Sequence, residues 1–158
     1  MKQILKIAMI VLAATTLWGC YEEPQPLDKP FVYILDEVGG GKMEISAKAN
    51  NLLSELYVYL SSKKVDVDTV VEYEVIVGDG LKEGVDFVIQ STTKSPITFK
   101  PGIYGPLPIR ISWKRTENLD PTKDNTVTFR LTSCSRSDVH IGYLGPDRLH
   151  SEYVFTKK

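Results

Sequence analysis

Beyond residue 30 the chain alternates apolar and polar residues at a period of two. In residues 71–77, for example, Val71, Tyr73 and Val75 alternate with Glu72 and Glu74. This period places successive side chains on opposite faces of a strand, so each such segment predicts a strand with one buried and one solvated face. The predicted strands are 56–60, 71–77, 97–100, 109–114 and 126–131, with 31–35 and 152–155 as the opening and closing strands.

Glycine and proline pairs separate these segments and predict turns. For residues 47–55 we predict a short helical turn at most. Residues 39–42 resemble a phosphate-binding loop, but Asp36 and Met43 replace the motif's first Gly and its Ser or Thr, so we predict a flexible turn. Seven to eight short strands without intervening helices predict an all-β fold, an antiparallel β-sandwich.

The N-terminus has the features of a secretory signal. A short basic start precedes an apolar stretch, residues 4–17, which is too short to cross a bilayer stably. It ends in Leu-Trp-Gly-Cys at 17–20, which resembles the bacterial lipobox. The resemblance implies that residues 1–19 are a signal peptide and that Cys20 carries lipid after cleavage. The alternatives are an ordinary signal peptide with an incidental cysteine, or a buried helix.

Residues 20–30 contain three prolines and predict an extended tether between the lipid and a domain at 31–158. Glu22 and Glu23 directly follow Cys20 and resemble the surface-export signal of Bacteroidota-type lipoproteins. These features predict an outer-membrane protein, lipid-anchored and facing the cell surface. With Cys20 lipidated, Cys134 has no partner for an internal disulfide, and we interpret it as a small apolar residue near a strand end.

Charge argues against a nucleic-acid partner. The whole chain has a formal charge of −1, and removal of Lys2 and Lys6 with the signal peptide leaves −3 without a basic cluster. Membrane attachment is therefore expected to depend on lipid rather than on electrostatic attraction.

Residues 56–131 resemble a Calx-beta-like domain in the order and spacing of their strands. The most specific pieces are Gly-Val-Asp-Phe at 84–87 and Phe-Lys-Pro-Gly at 99–102. With the lipobox and the opening strand, the chain is similar to uncharacterised Calx-beta-like lipoproteins encoded with Bacteroidota polysaccharide-utilisation systems. The resemblance implies an immunoglobulin-like sandwich with a binding or spacing role, not an enzyme.

No metal or other cofactor is expected. Calcium-binding members of that family carry an acidic run where this chain has Lys114 and Arg115, and Asp86 alone predicts a turn cap. His140 and His150 lack metal-ligand spacing and are interpreted as solvated loop residues. Glu72 and Glu74 lie on the solvated face of one strand, without the pocket that acid–base catalysis requires.

The remaining functional candidates are aromatic residues. Trp113 is in phase with Ile109 and Ile111, which predicts a core position. Tyr104 and Tyr143 lie in Gly/Pro-rich loops and are candidate ligand contacts, the alternative being that each ring holds its own loop in place. The sequence predicts a non-catalytic accessory module for polysaccharide capture or presentation, with glycan or outer-membrane glycan-uptake proteins as partners. The alternative is a structural or adhesive module that contacts envelope or host proteins.

Overall fold

A computed structural model describes residues 29–62, 65–103 and 105–158. The predictions for the signal peptide at 1–19, for Cys20, Glu22 and Glu23, and for Tyr104 lie outside these residues. Ten strands and one short 3₁₀ helix, Ser91–Thr93, form the described part. The strands are β1 Phe31–Leu35, β2 Lys42–Ile45, β3 Leu52–Ser61, β4 Thr69–Val77, β5 Phe87–Ile89, β6 Ile97–Phe99, β7 Leu107–Trp113, β8 Thr126–Cys134, β9 His140–Ile141 and β10 Glu152–Lys157.

The strands form two five-stranded sheets that enclose one core. The first sheet has the order β5-β7-β3-β1-β9 and the second has the order β2-β10-β8-β4-β6. Most neighbours are antiparallel, as predicted. Two pairs at the sheet edges, β1–β9 and β2–β10, are parallel instead. The β2–β10 pair is parallel because the chain crosses from β1 in the first sheet to β2 in the second, where β2 pairs with the outer edge of β10, the last strand.

The period-two segments all form strands, with bounds within a few residues of those predicted. Residues 47–48 form a turn, within the limit predicted for 47–55, and β3 begins at Leu52. Leu52 and Leu53 are consecutive and both exposed, so they interrupt the alternation that marks the rest of β3. The turn before β2 lies at residues 36–40, where Gly39 N donates to Asp36 O at 3.2 Å, and β2 begins at Lys42 and was not predicted.

The core is built from the inward-facing residues of both sheets and is strongly aromatic at its centre. Trp113 is fully buried, as predicted, with its ring centroid 5.6 Å from that of Phe87 and 5.1 Å from that of Phe155. Its indole Nε1 donates to Ser54 Oγ at 3.1 Å, which satisfies the one polar atom of the ring. The indole therefore joins three strands, β3, β5 and β7, to the closing strand of the other sheet.

A buried carboxylate fixes the crossing loop between the sheets. Tyr153 donates to Asp36 Oδ2 at 2.7 Å, and the backbone N–H groups of Gly40 and Val38 donate to Oδ1 at 2.7 and 3.0 Å. Burial alone raises the pKa of Asp36, but these hydrogen bonds outweigh it and hold that pKa below its usual value. A Cβ at Gly40 would lie 2.8 Å from Oδ2, so a larger residue there would have to displace this hydrogen-bonded carboxylate.

We expect Asp36→Asn to remove part of the pH dependence of stability. A carboxyl whose pKa is lowered on folding stabilises the fold above its unfolded value of about 3.9, and this contribution is lost as pH falls through the folded value. The variant should unfold about 1–3 kcal/mol more easily at pH 7, since the NH₂ group that replaces Oδ2 cannot accept from Tyr153 and the neutral amide oxygen accepts more weakly from the two backbone N–H groups. Its unfolding free energy should then fall less between pH 5 and 3.

Urea unfolding at these pH values measures both effects. Asp147→Asn, at an exposed loop position, is the control and should keep the acid-dependent loss of the parent protein. An equally steep loss in Asp36→Asn would contradict the assignment to Asp36.

Candidate functional site

The outer face of the first sheet carries aromatic residues where solvated strands usually carry polar ones. In β1, Val32 and Ile34 are buried while Phe31, Tyr33 and Leu35 point outward and are partly exposed. In β3 the same alternation buries Leu56, Val58 and Leu60 and turns Glu55, Tyr57 and Tyr59 outward. The antiparallel register places Tyr33 opposite Tyr59 and Leu35 opposite Tyr57. Two strands thus form one aromatic surface.

The rings form a continuous layer. Tyr33 and Tyr59 are stacked, with centroids 4.9 Å apart and an interplanar angle of 8°. Phe31 lies 5.4 Å from Tyr33, and Tyr57 lies 6.5 Å from Tyr59. We call the surface formed by Phe31, Tyr33, Tyr57, Tyr59 and Tyr143 the aromatic face.

Tyr143 joins this face from the loop after β9. Its ring meets Phe31 and Tyr33 edge-on at 5.5 and 5.0 Å, and it also contacts His150 at 4.8 Å. Tyr143, a predicted ligand contact, therefore lies beside other rings. Its contact with His150 also fits the predicted alternative, in which the ring holds its own loop in place.

The loop that presents Tyr143 is held against β1 by backbone hydrogen bonds. Gly142 N donates to Val32 O at 2.8 Å, and Ile34 N donates to His150 O at 2.9 Å. Gly142 has a φ of +78°, and a Cβ there would lie 2.5 Å from Arg148 O. Arg148 and His150 also have positive φ values, of 44° and 59°. Such backbone strain persists only where surrounding contacts hold it, so the position of Tyr143 is closely defined.

A charged group borders the aromatic face at Tyr57. Arg110 Nε donates to Glu55 Oε1 at 2.6 Å, and the Tyr57 hydroxyl donates to Glu55 Oε2 at 2.5 Å and lies 3.3 Å from Glu37 Oε1. The hydrogen bonds from Arg110 and Tyr57 lower the pKa of Glu55, so this carboxyl is ionised at neutral pH. The hydrogen bond to Glu55 raises the pKa of Tyr57 to about 12. The phenol therefore stays protonated and remains a donor.

Asp86 and the basic residues near it form a separate structural cluster. Asp86 Oδ2 accepts from Lys82 N at 2.9 Å, which confirms the predicted turn cap, and Oδ1 accepts from Thr116. Buried Lys157 donates from Nζ to the backbone oxygens of Asp86 and Lys114, at 3.1 and 2.6 Å. Burial lowers the pKa of Lys157. Within the described ranges, no group of three or more His, Cys, Asp or Glu is placed to hold a metal ion.

The two histidines differ from the prediction of solvated loop residues. His140 belongs to β9 and His150 packs on Tyr143, and both are half-buried because the loop 142–151 folds back onto β1. Glu72 and Glu74 lie on the exposed face of β4, as predicted, and pair with Ser133 and Arg130.

Cys134 is half-buried at the end of β8, and burial raises the pKa of its thiol. A raised thiol pKa lowers the thiolate fraction at neutral pH, which is consistent with the predicted apolar role. Separately, no helix among the described residues is long and apolar enough to cross a membrane.

Comparison with known structures defines the fold class. The chain is similar to the crystal structure of the apo form of the Calx CBD1 domain, with a TM-score of 0.50 and 17% identity over 81% of this chain and 98% of that one. The fold is therefore a Calx-beta-like, immunoglobulin-like sandwich. No protein-family model matches the chain, and no curated protein matches it.

Proposed function

We propose that this protein is a non-catalytic, lipid-anchored protein of the Bacteroidota cell surface that captures or presents polysaccharide on its aromatic face. The observation that carries the proposal is the stacked pair Tyr33 and Tyr59, extended on either side by Phe31 and Tyr57 on an outward-facing sheet. The rings of this face lie outside the core and remain partly exposed, which leaves apolar surface for a ligand.

The chemistry of this face suits a sugar chain. One side of a pyranose ring presents C–H groups, and covering that apolar side with an aromatic ring removes both surfaces from water. The hydroxyls around the sugar rim need donors and acceptors, which Tyr57, Glu55 and Arg110 supply at the border of the face. Ring stacking and hydrogen bonding are thus both provided within one surface.

The same geometry favours binding over hydrolysis. Glycoside hydrolysis needs one carboxyl with a raised pKa to protonate the leaving oxygen. Glu55 has the opposite character, since its hydrogen bonds from Arg110 and Tyr57 lower its pKa. We therefore propose a binding role without catalysis.

The proposed location rests on residues outside the described part of the chain. Cys20 resembles a lipidation site, and Glu22 and Glu23 resemble a surface-export signal. Phe31, at the edge of the aromatic face, lies 11 positions after Cys20. Eleven residues span at most about 36–40 Å even when fully extended. The aromatic face would therefore stay close to the membrane surface, where an incoming polysaccharide would be handed to an uptake partner.

Affinity electrophoresis of the purified full-length protein in detergent tests this function. The gels contain amylopectin, xyloglucan, galactomannan, homogalacturonan or chondroitin sulfate. We expect at least one of these polysaccharides to retard the protein. We expect Tyr59→Ala to weaken that binding at least tenfold, about 1.4 kcal/mol, since it removes half of the stacked pair.

The matched control is Ile76→Ala, which truncates an exposed apolar side chain on the outer face of the other sheet. It should migrate like the parent protein. Equal retardation of Tyr59→Ala and Ile76→Ala would show that the aromatic face is not the binding surface. Absence of retardation by all five polysaccharides would favour the structural or adhesive role instead.

A further inference from the structure

The aromatic face ends at a charged pair that lies in line with its rings. We infer, resting on the proposed function, that its ligand is an uncharged, extended oligosaccharide segment that runs along β3 from the Tyr33–Tyr59 pair to the Glu55–Arg110 pair. Two features of the structure carry this inference. They are the spacing of the groups along β3 and the charge at the Glu55 end.

The spacing requires a ligand longer than one sugar. Tyr59, Tyr57 and Glu55 follow one another at every second position of β3 and share its outer face. At about 3.3 Å per residue, Tyr59 and Glu55 are separated by roughly 13 Å along the strand. A single pyranose ring that stacks on the Tyr33–Tyr59 pair cannot also reach Glu55. A chain of several sugars contacts both ends.

The charge at the Glu55 end disfavours an anionic ligand. Tyr57 lies between two carboxylates, those of Glu55 and Glu37. The nearby cation, Arg110, is held by Glu55 at 2.6 Å, and its charge is balanced by that carboxylate. A uronate or sulfate placed there would meet two carboxylates and one guanidinium, which together carry a net charge of −1. Like charges placed together at a binding surface reduce affinity and exclude the wrong partner.

The same pair is well suited to neutral hydroxyls. The Glu55 carboxylate accepts hydrogen bonds, while Arg110 uses Nε for Glu55 and carries two terminal NH₂ groups as further donors in the same planar fork. One sugar hydroxyl can therefore donate to Glu55 and accept from Arg110. The Glu55–Arg110 pair thus fixes one end of the oligosaccharide, and ring stacking on Tyr33 and Tyr59 holds the other end.

The first test compares the neutral and anionic polysaccharides on the same gels. We expect amylopectin, xyloglucan or galactomannan to retard the full-length protein, and homogalacturonan and chondroitin sulfate to bind at least roughly tenfold more weakly. Replacing both carboxylates, Glu37→Gln with Glu55→Gln, should reduce this discrimination by strengthening retardation on the two anionic polymers. Circular dichroism checks that the double variant is folded.

The second test measures ligand length by isothermal titration. Hexasaccharides prepared from the retained neutral polysaccharide should bind at least roughly tenfold more tightly than its disaccharides. In Arg110→Gln this advantage of the longer ligand should shrink, because the second contact point is weakened. A general loss of folding would instead lower the affinity for both lengths equally.

The outcomes separate the two proposals. If only homogalacturonan or chondroitin sulfate is retained and Tyr59→Ala loses that retention, the proposed function stands and the inference of a neutral ligand is wrong. If disaccharides bind as tightly as hexasaccharides, the extended site along β3 is wrong. If no polysaccharide is retained, both the function and the inference are wrong.

Discussion

Replacing Trp113 by alanine is expected to lower the free energy of unfolding by about 3–5 kcal/mol. The indole is fully buried and packs between Phe87 and Phe155, so truncation leaves a cavity at the point where the two sheets meet. Ser54 loses its hydrogen-bond donor and Lys157, 5.8 Å from the ring centroid, loses a favourable aromatic neighbour. Guanidinium unfolding followed by circular dichroism measures the difference.

Tyr59→Ala is the control for this measurement. It also removes an aromatic ring, but one on the outer face, and the loss of its stacking contact should cost about 1 kcal/mol or less. If Trp113→Ala is too unstable to purify, Trp113→Phe gives a smaller cavity and a measurable intermediate loss. A cost below about 1 kcal/mol for Trp113→Ala would contradict its position at the centre of the core.

Replacing Cys20 by serine is expected to abolish membrane attachment. The proposed anchor forms on the thiol of this residue, and the serine hydroxyl cannot replace a thiol as the acceptor of the lipid. Two or three acyl chains hold a protein firmly at a membrane. The net charge of this chain is negative, so electrostatic attraction to an anionic surface does not replace them. Metabolic palmitate labelling and detergent-phase partitioning in the native host measure the loss.

The chain offers a matched control for this substitution. Cys134 is its other cysteine, half-buried at the end of β8 and distant in sequence from the proposed anchor. Cys134→Ser should keep full labelling and partition with the detergent phase. Undiminished labelling of the Cys20→Ser variant would overturn the lipoprotein assignment without affecting the description of the domain.

The strands were predictable wherever one face of the strand is buried and the other solvated. Trp113 was placed in the core because it shares the phase of Ile109 and Ile111, and β7 keeps that alternation without interruption. β2 was not predicted because it is a four-residue edge strand in which only Ile45 is fully buried. Its position depends on pairing with β10, which lies more than 100 residues later in the chain. A local sequence pattern does not reveal such a pairing.

The aromatic face was only partly predictable. Tyr143 was identified as a candidate because it lies in a Gly/Pro-rich loop, but Tyr33, Tyr57 and Tyr59 fall within or beside predicted strands and were not considered as ligand contacts. Their grouping depends on the register of β1 against β3, which brings Tyr33 opposite Tyr59. The available signal was tyrosine at three solvated strand positions where charged or small polar residues are more usual.

The most direct measurement of the central claim is nuclear magnetic resonance of the full-length protein with labelled tyrosine rings. The titrant is a hexasaccharide prepared from the polysaccharide that retards the protein. The account predicts saturable shifts for the aromatic face, carried by Tyr33, Tyr57, Tyr59 and Tyr143, and no shift for the buried rings of Tyr73 and Tyr153. Saturable binding that leaves the signals of the aromatic face unchanged would contradict it.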